Sequence, residues 1–265
     1  MNKTLKKIAP ALVASVALAT SASAATLTGV GTFDGNAGIG TANGDVVAAP
    51  TGDGSFVYVS TDGGVDGAAG YGLGGERQGT ELTTFNFMAD AGDELEYFFN
   101  YVTSDGSGFA DYAYAELNDI GGGPTINLFN ARTVPTGNTV PGNGLPAIDP
   151  GVTLDPASTA IVGGGPVWDV LGGSSGSCFA AGCGYTGWVK STYTIQNAGT
   201  YNFTFGVTNW SDNAFDSAFA IAGLKVDGTV IIDPNPSTVP LPAAGWMLLA
   251  GLGGMAALGR RRKSS

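Results

Sequence analysis

The stretch TTFNFMADAGDELEYFFNYVT, residues 83–103, decides how the chain is to be read. Its two halves, TTFNFMA and DELEYFFNYVT, are rich in the aromatic and β-branched residues that suit a pleated, half-buried surface, so both are expected to be strands. Ala91-Gly92-Asp93 between them has the composition of a turn. The simplest expectation is a hairpin.

Outward from this block the same pattern repeats. SFVYVST, residues 55–61, alternates, with Phe56 and Tyr58 on one face and Val57 and Val59 on the other. DYAYAELND, residues 111–119, places Asp111, Ala113, Ala115 and Leu117 on one face and Tyr112, Tyr114 and Glu116 on the other. TINLFNAR follows a Gly-Gly-Gly-Pro break. Later come two strands around Asn197-Ala198-Gly199 and two around Asp227-Gly228. Residues 134–187 are rich in Pro and Gly and read as a long loop or several short edge strands. No segment between the termini sustains a helical period, and no internal repeat is evident. Many short strands with Gly- and Asn-containing turns predict an all-β fold, an antiparallel sandwich of jelly-roll type over residues 25–232.

Charge narrows the function. Lys3, Lys6 and Lys7 lie at the N-terminus and Arg260, Arg261, Arg262 and Lys263 at the C-terminus, leaving four cations against 22 carboxylates between residues 25 and 239. That is a formal charge of −18. Such a surface repels nucleic acid and anionic lipid, and composition excludes a nucleic-acid partner. Histidine is absent, which removes Ser-His-Asp and Cys-His catalysis and the usual catalytic zinc sites.

The two ends have their own grammar. Three lysines, an apolar run from Ile8 to about Ala19 and small residues at Ala22-Ser23-Ala24 predict a signal peptide over residues 1–24, removed by signal peptidase. Export makes the compartment oxidising, so Cys178 and Cys183, in CFAAGC, are expected to form a short-loop disulfide. At the other end, a polar linker at 233–238 leads to VPLPAAGWMLLAGLGGMAALGRRRKSS. Residues 243–259 are uncharged, and a helix of that length spans roughly 25 Å, enough for a thin bilayer. The basic cluster then holds the cytoplasmic side.

This ending resembles the VPLPA variant of the PEP-CTERM sorting signal: a short proline motif, a transmembrane helix and a basic tail, in that order. The Pro-Glu-Pro form is absent. The resemblance implies recognition of Val239, Pro240, Leu241, Pro242 and Ala243 by an exosortase, with the helix crossing the inner membrane only transiently. A mature chain from near Ala25 to near Pro242 would then pass to the cell surface or extracellular matrix. The body is similar to the globular part of one class of these proteins, through GDGSFVYVST, DYAYAEL, GCGYTGW and GTYNFTFGVTNWSDNAFDSAFAIAGLKV. Such domains look like secreted jelly-roll modules of the carbohydrate-binding type.

Three kinds of chemistry are open to the body. SDGSGFADYAY places Asp105 and Asp111, and NWSDNAFDS places Asn209, Asp212, Asn213 and Asp216, where turns meet strands. Oxygen ligands of this kind suit calcium, although Asp and Asn also cap turns with their own backbone. Asp105, Asp111, Asp212 and Asp216 are the candidate ligands. Tyr112, Tyr114 and Trp188 are candidates for stacking on sugar rings, against the alternative that they pack the sheets. No motif nominates an acid and a nucleophile. The expectation is therefore a structural or adhesive protein without catalysis. A module binding exopolysaccharide is the alternative, and a calcium-dependent glycosidase the third reading.

Overall fold

In the computed structural model, which describes residues 24–234, the block at residues 83–103 is divided between two sheets. Phe87–Ala89 pairs with Gly199–Trp210 in one sheet, and Glu94–Thr103 pairs with Ser217–Val226 in the other. The expected hairpin does not form. Gly92, at φ +99°, turns the chain from sheet to sheet, and the Asp93 N–H donates to the Asp90 carbonyl (3.2 Å). The turn is tied to the far strand as well, through Gly92 N–H to the Ile195 carbonyl at 2.8 Å. Local turn chemistry is the same for a hairpin and for a corner. Tertiary packing decides between them, because both strands have apolar residues that need the same core.

All strand pairs are antiparallel. The front sheet runs, by neighbours, Ala25–Leu27, Gly31–Asp34, Glu76–Thr84, Gly199–Trp210, Tyr112–Asp119, Ile126–Arg132. The back sheet runs Thr153–Asp155, Val189–Thr194, Glu94–Thr103, Ser217–Val226, Ser55–Ser60, Asn36–Thr41. Residues 134–187 supply short strands and the 3-10 turn Asp169–Ser174, and the Asp227-Gly228 hairpin forms as expected. Cys178 and Cys183 are joined.

The core lies between the sheets. Ala113, Ala115 and Leu117 face it from the front and Val57 and Val59 from the back, as their alternation predicts. Phe129 stacks on Phe219 with ring centroids 5.0 Å apart, and Phe205 stacks beside Phe203 at 5.8 Å. Burying each such ring contributes roughly 2–3 kcal/mol. A second apolar cluster covers the outside of the back sheet, where Phe56 and three alanines receive Trp168 and Leu171.

Among the described residues no helix is long and apolar enough to cross a membrane. Residues 1–23, the linker beyond Pro234, the motif Val239–Ala243, the helix at 243–259 and the cations Arg260, Arg261, Arg262 and Lys263 lie outside the described residues.

Candidate functional site

Two regions gather chemistry. At one end of the sandwich the two acidic loops, distant in sequence, come together. Asp111, just before the strand Tyr112–Asp119, is fully buried and spans the sheets. Its Oδ2 accepts from the Ser217 hydroxyl (2.6 Å) and its Oδ1 from the Trp210 N–H (2.8 Å). The Tyr101 hydroxyl donates to the Asp111 carbonyl (2.9 Å). Asp105 is buried beside this group, and its Oδ1 takes the Gly106 N–H (2.6 Å). Burial pushes the Asp105 carboxyl up to about 7, with Asp212 adding to the rise against the Gly106 hydrogen bond. Burial, assisted by Asp105 and Asp216, holds Asp111 well above the usual carboxylate range despite its hydrogen bonds.

Calcium is expected from the sequence at one of two clusters, Asp105 with Asp111 or Asp212 with Asp216, and the two do not pool their carboxylates. Among the described residues no three acidic side chains stand close enough to share a metal ion. Each is engaged by protein hydrogen-bond donors instead. Asp212 takes the Ala214 N–H (3.0 Å), while Asp216 accepts from the hydroxyls of Thr61 (3.1 Å) and Ser174 (2.8 Å). Capping of turns, the simpler role for Asp in loops, describes Asp212 fully.

The second region is the outer face of the front sheet. Near the same end, segment 67–75 folds over it. Tyr71 stacks parallel to Tyr112, with centroids 5.7 Å apart, and its N–H donates to the Tyr112 hydroxyl (2.8 Å). The Tyr112 hydroxyl donates to Glu76 Oε1 (2.8 Å), and Glu76 also takes the N–H groups of Leu73 and Gly74, each at 2.6 Å. Burial opposes the charge on Glu76, but these three donors together with its own N–H outweigh it and lower its pKa. Arg132 lies over the Trp210 ring, 4.2 Å from its centroid.

Further along, the face is open. Tyr114 donates to Glu81 Oε2 (2.8 Å) across Gly206, whose missing side chain leaves room for the Tyr114 ring. Beyond it, Asn118 Nδ2 donates to Asn202 Oδ1 (3.1 Å) and Thr204 Oγ1 (2.9 Å), and Thr125 donates to Asn118 Oδ1 (3.0 Å). Glu116 stands among them, half-buried, its carboxylate without a hydrogen bond from any described residue. Burial, then the charges of Glu81 and Asp149, raise its pKa, while burial and Asp34 raise that of Glu81 against the Tyr114 hydrogen bond. A depression of about 360 Å³ between Gly70, Glu76 and Glu81 adjoins this surface.

The aromatic candidates are placed otherwise than a sugar platform requires. Tyr112 is 0 % exposed and Tyr114 2 %, both under segment 67–75, so neither ring offers a face to a sugar. Trp188 is half-buried, edge-on to Phe56 (5.5 Å), with its indole N–H donated to the Val47 carbonyl (3.0 Å). Glu81, Tyr71 and Arg132 were not singled out by sequence reasoning. Alternation put Glu116 beside the tyrosines, but nothing local signals that Glu81 lies two strands away from it, across Gly199–Trp210.

No protein-family model matches the chain, and no curated protein matches it. Among solved structures, one described as "Structural analysis of an exo-beta-agarase" aligns with 80% of this chain at 13% identity, with a TM-score of 0.27. The chain spans about 25% of that protein's length.

Proposed function

We propose that this chain is an exported, non-catalytic jelly-roll module with a structural or adhesive role at the cell surface or in the extracellular matrix. Its adhesive contact is with a hydroxyl-rich glycan of the exopolysaccharide type. The C-terminal signal, through Val239–Ala243, delivers it by way of an exosortase-type enzyme.

One observation supports the glycan over other partners. The open half of the front face offers Glu116, Asn118, Asn202 and Thr125 as a continuous polar surface, with Thr204 buried beneath Asn118, and the Glu116 carboxylate has no donor of its own there. A half-buried carboxylate without a donor is an unfilled acceptor, and sugar hydroxyls are donors in the right density to fill it. Binding here rests on hydrogen bonds to carboxylate and amides, with ring stacking a minor contribution.

The test is retention on insoluble extracellular polysaccharide. Wild type is expected to be retained, and Glu116→Gln combined with Asn118→Ala to lose about ten-fold or more in affinity with an unchanged melting temperature. Absence of retention by wild type on every polysaccharide tried would leave no glycan function. Release of soluble sugars during the incubation would replace the binding reading with a catalytic one.

A further inference from the structure

We propose that the loop end of the sandwich holds an internal divalent cation of the calcium type, bound between the sheets at Asp111 and Asn209, with Asp105 and Asp216 supplying the surrounding charge. This site differs from the turn-borne pairs, Asp105 with Asp111 and Asp212 with Asp216, that the sequence offers. It is an interior site with a neutral amide at its centre, and Asp212 takes no part.

The observation that carries it is Asn209. The residue is 1 % exposed, and neither Oδ1 nor Nδ2 has a hydrogen-bond partner. An orphaned buried amide costs about 1–3 kcal/mol for each unsatisfied group, so a fold keeps one only where something else satisfies it. Its direction follows from strand alternation. Val207 faces the core and Thr208 pairs with Tyr112 on the neighbouring strand, so the next residue, Asn209, faces inward opposite Asp111. Trp210, the residue after it, gives its N–H to Asp111 and lays its own ring on the outer face against Arg132. Asn209 therefore points into the space that Asp111 occupies.

That space is rich in oxygen, and Arg132, whose Nε donates to the Ala110 carbonyl (3.0 Å), has its guanidinium over the outer Trp210 ring. Asp111 meets Ser217 there, and the Ser217 hydroxyl donates in turn to Thr103 Oγ1 (2.8 Å). Asp105 follows Thr103, and Asp216 precedes Ser217. The ion pair of Lys190 with Glu96 lies on another part of the molecule. Calcium accepts six to eight oxygens with loose geometry, including carboxylate, amide, hydroxyl and water. It fits the Asp111 carboxylate and the Asn209 amide oxygen, with hydroxyl and water oxygens completing the shell. A cation-bound water is then the natural acceptor for Asn209 Nδ2.

The test uses the full chain, stripped with a chelator, and follows terbium(III) as a calcium stand-in. Tyr101 and Trp210 flank the site, so saturable terbium luminescence on aromatic excitation, displaced by CaCl₂, is expected. Asn209→Ala is expected to weaken terbium binding about ten-fold or more, while the front-face pair Glu81→Gln and Glu116→Gln leaves it unchanged. Asn209→Asp guards against a variant that merely misfolds. It adds a charge that should lower the melting temperature in chelator and raise it above wild type in CaCl₂. No saturable emission, emission abolished by the front-face pair, or an Asn209→Asp variant that melts below wild type in both chelator and CaCl₂ would overturn the proposal. In each of these cases water alone fills the space.

Discussion

The outer faces of the two sheets differ in what their strands present and in what covers them. On the back sheet, Phe56, Val102, Ala218, Ala220 and Ala222 form an apolar floor, and the chain returns with Val46, Trp168 and Leu171 to close it. On the front sheet, the alternating outer positions are tyrosines at one end and Glu, Asn and Thr at the other. Only the tyrosine end is covered. Apolar outer residues need a lid to leave water, whereas polar ones are already solvated, so a cover there would cost desolvation. The uncovered half of the front sheet is thus where another molecule can still bind.

Removing the back lid should have the largest effect on stability. Trp168 is 1 % exposed and packs edge-on against Phe56 (6.1 Å) and Tyr58 (6.2 Å). Trp168→Ala is expected to cost about 3–5 kcal/mol and to lower the melting temperature by roughly 10 °C. A urea titration reads it directly, as a fall in midpoint. A shift of under 1 kcal/mol would mean that the lid is dispensable and the two faces are alike.

The tyrosine lid should respond less. A Cβ on Gly206 would overlap the Tyr114 ring, so Gly206→Ala must push that ring off the sheet and away from Glu81. Overpacking of this kind costs about 1–3 kcal/mol. Thermal melts of Gly206→Ala and of Gly206→Ala/Tyr114→Ala separate the causes, since the double variant should recover part of the loss. A double variant that is less stable by the full sum of both changes would show that ring and glycine do not interact.

Much of this arrangement was legible in the sequence, and the reason is periodicity. A period of two assigned Val57 and Val59 to the core against Phe56 and Tyr58, and it separated Ala113 and Ala115 from Tyr112 and Tyr114. Which outer face is covered was not legible. Tyr112 is buried because segment 67–75, some 40 residues away in the chain, lies on it, and no local pattern encodes that contact. The corner at Gly92 was misread as a hairpin for the same reason: its turn is local, but its pairing partners, at Thr200 and at Ala222, are not. At the loop end the sequence signalled aspartates but not their engagement. Asp105 and Asp111 face inward, while Asp212 caps its own turn. Asn209 stood in the same motif, and only its burial without partners distinguishes it.

The smallest effect is on the share of the pH dependence that belongs to the open half. Glu81 and Glu116 both titrate above their ordinary 4.5 in the folded chain. Between 4.5 and those raised values the native state holds more protons than the unfolded chain, so their contribution to stability falls as pH rises. It is fully present below 4.5 and is lost through the folded pKa. Glu76, shifted down, works the other way, but only below 4.5. Acidification from about pH 7 to about pH 5 should therefore stabilise the fold. The raised carboxyls of Asp105 and Asp111 and the general −18 charge push in the same direction, so the informative quantity is the difference between wild type and Glu81→Gln/Glu116→Gln. The double variant is expected to gain about 1–2 °C less over that interval at constant ionic strength. A gain equal to that of wild type would mean that the carboxylates feel bulk water and that the open face is fully solvated. Saturating polysaccharide sharpens the point: hydroxyl donors on charged Glu116 lower its pKa, so the wild-type slope should flatten towards that of the variant when the face is occupied.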